Sequence, residues 1–365
     1  MTTTDSNHVL NFSAGPAILP VSVLEQARES ILELDGTGIG ILEHSHRGPA
    51  FTKVIDDARN ACRTVGNIPD DFEILFLQGG ASSMFALIPM NLLGEGRAAD
   101  YIHTGTWTGK AIKDAGLIGD ARTIWDGSTC EFRHLPEDAE LRHSDDPVYT
   151  YYCSNNTIYG TMWPAPPASK GALVNDASSE MFSRPIDWER HDLVYAGAQK
   201  NLGPAGVALV IIRKDLLERS RRDLPSMFRF DRHAEQGSCL NTPPTFGIHV
   251  MGLVFNWILE QGGLAAMQEQ NLSKAATLYE SIDGSGGFYT GHARQDCRST
   301  MNVTFTCPNP DLDSLFLAEA EDAGMRNLKG HRSIGGLRAS IYNAFPAEGC
   351  RRLASFMDEF AARNG

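Results

Sequence analysis

One lysine in this chain sits where almost nothing around it has a side chain. The segment Tyr195-Ala-Gly-Ala-Gln-Lys-Asn-Leu-Gly-Pro-Ala-Gly206 places Lys200 between two apolar runs and among alanines and glycines. A lysine in a turn is ordinarily a solvated surface charge. Small flanking residues instead let a bulky group approach and strip water from the amine, which then loses its proton readily and acts as a nucleophile. Upstream, Leu173-Val-Asn-Asp-Ala-Ser-Ser179 closes a short apolar run with Asp176. Alone, Asp176 reads as a turn or helix-capping residue. At the carboxyl edge of a strand, however, it stands where open α/β sheets hold ligands. The stretch between Asp176 and Lys200 is long enough for one crossover and a neighbouring strand, so the two can face one pocket.

Phe76-Leu-Gln-Gly-Gly-Ala-Ser-Ser83 supplies a third part. A strand, a diglycine turn and a helix start leave free N–H groups aimed at one spot, a setting that suits a phosphate. It is not a P-loop, because no lysine follows the glycines. A carboxylate that keeps a pyridinium nitrogen protonated, a Schiff-base lysine and a phosphate cradle are together what pyridoxal phosphate (PLP) requires. Glu43-His-Ser-His-Arg47 and Lys329-Gly-His-Arg-Ser-Ile-Gly-Gly-Leu-Arg338 then concentrate basic groups. If they converge on Lys200 they can hold a substrate with two anionic ends, arginine being suited to carboxylates by its planar fork. Otherwise they are scattered surface basicity. No acidic or cysteine partner completes a metal set around His44 and His46, so no metal is expected. Trp107, in Thr104-Gly-Thr-Trp-Thr108, reads as a loop residue able to stack on a planar ring. Gly36-Thr-Gly-Ile-Gly40 follows a helix rather than a strand and reads as a helix-ending hinge, not a dinucleotide loop.

These groups need a scaffold, and the sequence describes one. Short apolar runs at Glu73–Leu77, Asp100–His103, Val148–Cys153, Leu173–Asn175, Leu193–Tyr195 and Val207–Ile212 predict strands. They alternate with helical patterns at Val21–Leu34, Phe51–Val65 and Ser83–Leu93, which predicts an α/β fold with a mainly parallel sheet covered on both faces. A long apolar helix over Thr245–Glu260 ends at Gly262-Gly263. Beyond it, helices at Leu264–Ser281, Leu312–Ala323 and Glu348–Phe360 and strands at Met301–Thr306 and Gly336–Ile341 predict a smaller α+β domain. The expected division is an N-terminal segment 1–15 packing with the small domain, a large domain 16–262 and a small domain 263–365.

Composition narrows the class. The chain has 365 residues, 42% hydrophobic and 21% charged, with 32 basic against 45 acidic side chains and a net charge of −13. Such a balance disfavours nucleic acid and acidic lipid as partners and requires a local basic cluster for any anionic substrate. Seven widely spaced cysteines without a CxxC indicate a reducing compartment. The polar N-terminus and short apolar runs predict a soluble, cytoplasmic protein without a membrane span.

The sequence resembles the phosphoserine aminotransferases, class V members of the fold-type I PLP enzymes. The likeness runs from Asn11-Phe-Ser-Ala-Gly-Pro16 to the final helix. It is carried by Ser45-His-Arg-Gly48, Asp187 to Lys200 ending in Ala-Gly-Ala-Gln-Lys, Asn241-Thr-Pro-Pro-Thr-Phe246, Lys329-Gly-His-Arg332 and Gly335-Gly-Leu-Arg-Ala-Ser-Ile-Tyr-Asn343. The resemblance implies a large domain with a seven-stranded sheet and a smaller C-terminal α+β domain. It implies that Lys200 bonds covalently to PLP, Asp176 contacts the pyridine nitrogen, Trp107 stacks on the ring and Thr157 bonds near the 3-hydroxyl. The cofactor phosphate falls to Ala81, Ser82 and Gln199, with Asn241 and Thr242 from the second subunit of a homodimer with shared sites. Arg47 and Arg338 are implied for the substrate carboxylate, and His46, His331 and Arg332 for the substrate phosphate. Some members of the family have an arginine where this chain has Ser82, which shifts phosphate recognition toward Arg332 and the histidines. The implied reaction converts glutamate and 3-phosphohydroxypyruvate to 2-oxoglutarate and O-phosphoserine, in serine biosynthesis. Use of 4-phosphohydroxythreonine for vitamin B6 stays open. The alternatives are other class V enzymes, of the cysteine desulfurase or alanine–glyoxylate transaminase type, and a phosphate-binding protein without catalysis on the same scaffold.

Overall fold

The structure, a computed structural model, describes residues 9–365. Residues 1–8 of the expected N-terminal segment lie outside the described residues. Seven strands form the main sheet: β1 (Phe72–Gln78), β2 (Ala98–His103), β3 (Asp120–Asp126), β4 (Tyr149–Cys153), β5 (Ala172–Asp176), β6 (Leu193–Gly197) and β7 (Val207–Arg213). Their order is β1-β7-β6-β5-β4-β2-β3. β7 runs antiparallel to both its neighbours, and the other pairings are parallel. The mainly parallel α/β sheet expected from the sequence is therefore present.

Continuous apolar runs form these strands because both faces of the sheet are covered. Successive side chains of a strand point to opposite faces, and β7 shows the result. Val207, Leu209 and Ile211 enter one core with α1 (Val21–Leu32), α2 (Pro49–Gly66) and α5 (Thr245–Glu260). Ala208, Val210 and Ile212 enter the other with α3 (Ala81–Leu92) and α4 (Thr106–Ala115).

Gly262 and Gly263, with φ of +97° and +75°, make the turn from α5 into α6 (Gly263–Gly284), and the two helices meet at 82°. Left-handed φ at two successive positions favours glycine, which is why the long apolar pattern stops there. Beyond the turn, β8 (Asn302–Thr306) and β9 (Leu337–Ser340) pair antiparallel, with Thr290–Gly291 at the edge. They pack with α6, α7 (Pro310–Asp322) and α8 (Ala347–Asn364) around a separate core that includes Phe12, Phe305, Phe316 and Phe360. Leu10–Asn11 pair in parallel with Met325–Arg326 beside it. Among the described residues no single helix is long and apolar enough to cross a membrane.

Candidate active site

The carboxyl ends of β4, β5 and β6 and the start of α3 enclose a cavity of about 330 Å³. Its walls include Ala81, Ser82, Trp107, Thr157, Asp176, Gln199 and Lys200. Seven residues singled out from the sequence thus meet in one place, at the edge where parallel sheets hold ligands.

Asp176 closes β5 and is buried to 3% exposure. It is fixed from one side: the backbone N–H and the hydroxyl of Ser178 both donate to Oδ1, at 3.0 and 2.6 Å. Ser178 Oγ in turn accepts from the Gly197 N–H at 3.1 Å, tying the carboxylate to β6. Lys200 lies three residues past the end of β6. Its Nζ donates to Thr157 Oγ1 at 2.7 Å. Burial lowers its pKa from the usual 10.5, Asp176 and Cys153 oppose that shift, and Arg338 adds to it. The enclosure expected from the small flanking residues is what produces the effect.

At the other end of the cavity α3 begins at Ala81 with Gly80 as its N-cap and no side-chain cap, so its first N–H groups are left for a ligand. A Cβ on Gly197 would lie 2.6 Å from Gln199 Oε1 and 3.2 Å from the Ala81 nitrogen, so a larger residue would displace the Gln199 side chain and crowd the start of α3. Trp107 Nε1 is buried without a hydrogen-bond partner. An amine of lowered pKa, a clamped carboxylate, an uncapped helix start and an aromatic wall fit PLP in both size and chemistry.

A basic group borders the cavity. Arg338, on β9, donates from Nη1 to the Thr157 carbonyl at 3.2 Å, while its Nε is buried and unpartnered. Burial and the charges of Arg338, Arg332 and Lys110 lower the His331 pKa, so these four side chains share one neighbourhood. His46, Arg47, Asn241, Thr242, His331, Arg332 and Arg338 do not line this cavity, although Arg338 touches its Thr157 wall. Asn241 lines a separate pocket with Phe76 and Phe228, and the Gln78 side-chain amide donates to the Thr242 carbonyl.

The structure corrects one placement and adds several residues. Trp107 is not in a loop. It is the second residue of α4, whose buried positions are only Thr108, Ala111 and Ala115, too weak an apolar stripe to read as a helix. Ser178 and Ser179 were visible in the Asp-Ala-Ser-Ser sequence, where the Asp-x-Ser spacing closes a tight side-chain turn. Asn155 gave no signal: its amide donates to Ser179 Oγ and Asn302 Oδ1, both at 2.8 Å, and so joins the sheet to β8. Cys153 also lines the cavity, but burial, with Asp176, raises its pKa well above the usual value. It is a buried neutral thiol on a strand, unsuited to the mobile nucleophile a cysteine desulfurase needs.

Known proteins resemble this chain over nearly its whole length. A family model described as Aminotransferase class-V matches residues 9–353. Phosphoserine aminotransferase of Herpetosiphon aurantiacus is 51% identical over 358 residues, 98% of this chain and 99% of the relative. That of Geobacillus kaustophilus is 49% identical over 353 residues, covering 97% and 98%. Among solved structures, phosphoserine aminotransferase from Bacillus circulans subsp. alkalophilus superposes with a TM-score of 0.96 at 44% identity, covering 99% of this chain and all of that one. The PLP-bound enzyme from Trichomonas vaginalis gives 0.91 at 37% identity, covering 96% and 99%.

Proposed function

The chain belongs to the class-V aminotransferases, PLP-dependent enzymes, and from that premise we propose that it exchanges the amino group between L-glutamate and 3-phosphohydroxypyruvate, giving 2-oxoglutarate and O-phospho-L-serine for serine biosynthesis. The observation that carries this reading is the juxtaposition of Lys200 and Asp176 in one cavity with Arg338, His331 and Arg332 beside it. The near full-length likeness to proteins named phosphoserine aminotransferases supports it.

Bound PLP supplies an aldehyde that takes up the amine of lysine or substrate and a ring that accepts an electron pair. This chain's residues do the rest. Lys200, its pKa lowered by burial, is an amine able to take the proton from the substrate Cα and return it on the far side of the amino nitrogen. Asp176, held by Ser178, would keep the nitrogen of a bound pyridine ring protonated. Thr157 would bond the cofactor near its 3-hydroxyl, and Trp107 would wall its ring. Ala81, Ser82 and Gln199, at the start of α3, would hold the cofactor phosphate. Arg338 offers its free Nε to the substrate carboxylate, and His331 and Arg332 take the substrate phosphate. We assign His46 and Arg47, and Asn241 and Thr242, to the site of a second copy of the chain, the first pair for substrate and the second for cofactor phosphate. The division into 1–15, 16–262 and 263–365 belongs to the same reading, with the separate aromatic core beyond α5 in its favour.

Two measurements test this. The purified protein should show a visible absorption band that borohydride abolishes. Turnover of glutamate with 3-phosphohydroxypyruvate should exceed that of alanine with glyoxylate by at least about a hundredfold, since an unmatched charge-binding site forfeits several hydrogen bonds. Equal rates would defeat the assignment. 4-Phosphohydroxythreonine, which keeps the same charged ends, is the second amino donor to assay.

A further inference from the structure

Lys110 has no task in the mechanism above. It lies one turn beyond Trp107 on α4, exposed to solvent, with Nζ 4.5 Å from the centroid of the Trp107 indole ring. Arg97, just before β2, and Arg122, on β3, are neutralised by Asp146 and Asp120, whereas neither lysine of α4, Lys110 nor Lys113, has an ion pair among the described residues. Lys110 makes no such ion pair among the described residues, although acidic side chains outnumber basic ones 45 to 32. Nor do Arg332 or Arg338, the cations that share its neighbourhood. Gathering unpaired cations in an acidic chain costs free energy through mutual repulsion, so their common partner is an anion that arrives from outside. The indole face matters here. A carboxylate partner would have to be displaced by an incoming anion, whereas an aromatic ring orients an ammonium while leaving its charge unneutralised.

Resting on the proposed phosphoserine reaction, we propose that Lys110 is a specificity-determining residue whose ammonium leaves the Trp107 ring to contact the phosphate of the phosphorylated substrate. Its geometry suits this: a flexible four-carbon stem on the helix that also carries the cavity wall, with its ammonium already against the Trp107 ring. Lys110 therefore distinguishes the phosphorylated from the unphosphorylated acid, while the substrate carboxylate stays with Arg338. Glutamate, lacking a phosphate, gains little from Lys110.

The test uses holoenzyme with Lys110→Met, which keeps the stem and removes the charge, and Lys110→Arg, which keeps a cation. In Lys110→Met, KM for O-phospho-L-serine should rise roughly tenfold and KM for glutamate less than about threefold, with kcat changed less than about twofold, the pattern of lost binding rather than lost chemistry. Lys110→Arg should restore most of the affinity. Calorimetric titration with inorganic phosphate, a readout independent of turnover, should show the same order among the three proteins. Equal KM shifts for both donors, or no shift, would overturn the assignment, as would Lys110→Arg behaving like Lys110→Met. If the unmodified enzyme fails to turn over O-phospho-L-serine, the parent reading falls with it. If that enzyme works and Lys110→Met is unchanged, this inference alone falls.

Discussion

Lys200 and Asp176 act on one another, and that coupling is measurable. Burial pulls the Lys200 pKa below 10.5 and Asp176 pushes it back up. Apoenzyme should therefore capture PLP at a rate that climbs with pH and levels off below pH 10.5, since the neutral amine is the nucleophile. In Asp176→Asn the opposing charge is gone, so the midpoint should move further down. Stopped-flow growth of the visible band checks this, and a midpoint that rises or stays put would mean that Asp176 does not sense the amine. Lys200→Ala should show no band that borohydride abolishes and should lose turnover by on the order of 10³-fold. Both residues were legible in the sequence because each follows an apolar strand and stands among small neighbours. Ser178 was legible only in part: its spacing from Asp176 signals a turn, but the Gly197 N–H that locks the hydroxyl comes from another strand. Lys110 was not legible, because its meaning depends on α4.

Two of the elements that sequence reasoning missed, α4 and β3, share a cause. Both bury little: β3 buries only Ile124, and α4 buries three small residues, Thr108, Ala111 and Ala115. Hydrophobic periodicity reports burial, so elements that bury little leave little trace. The reverse holds for α6, whose interior contains a charge no pattern would place there. Lys274 is 3% exposed, and its Nζ donates to the carbonyls of Ile341, Tyr342, Asn343 and Phe345 at 3.1, 2.7, 3.4 and 3.2 Å. This ammonium pins the turn that follows β9, the strand carrying Arg338. Burial lowers its pKa from 10.5 to about 8. Between those values the unfolded chain holds the extra proton, so Lys274 makes stability rise with pH across that window, by at most about 3 kcal/mol. Lys274→Met removes the donor shared by four carbonyls, of which, among the described residues, only that of Tyr342 keeps a backbone partner, the Phe345 N–H, and should destabilise the protein by roughly 2–4 kcal/mol at neutral pH. Urea titrations of both proteins between pH 7.5 and about 10.5 should show the gap widening as pH rises. A gap that stays constant would mean the amine keeps its proton throughout.

At the scale of the whole molecule the question is what Arg47 and His46, which we propose for the substrate, do at a place that does not line their own cavity. Arg47 is exposed, and His46 Nε2 is buried without a hydrogen-bond partner. Among the described residues Arg47 makes no ion pair, whereas Lys53 and Arg59 on the following helix both do. An unpaired guanidinium beside an unsatisfied imidazole is a poor arrangement for a lone chain and a good one for a surface that meets another copy. Complementation separates the two cases. Arg47→Ala and Lys200→Ala should each be nearly inactive alone. If Arg47 serves its own cavity, unfolding, mixing and refolding the two variants restores nothing, because every site carries one defect. If it serves the neighbouring cavity of a homodimer, a hybrid dimer gathers both defects in one site and leaves the other intact. Random pairing then returns up to about a quarter of the normal number of active sites. Activity that recovers on mixing, with a phosphoserine KM close to that of the unmodified enzyme, is the expected result. Absence of recovery in a mixture shown by mass spectrometry to contain hybrids would place Arg47 outside the shared site.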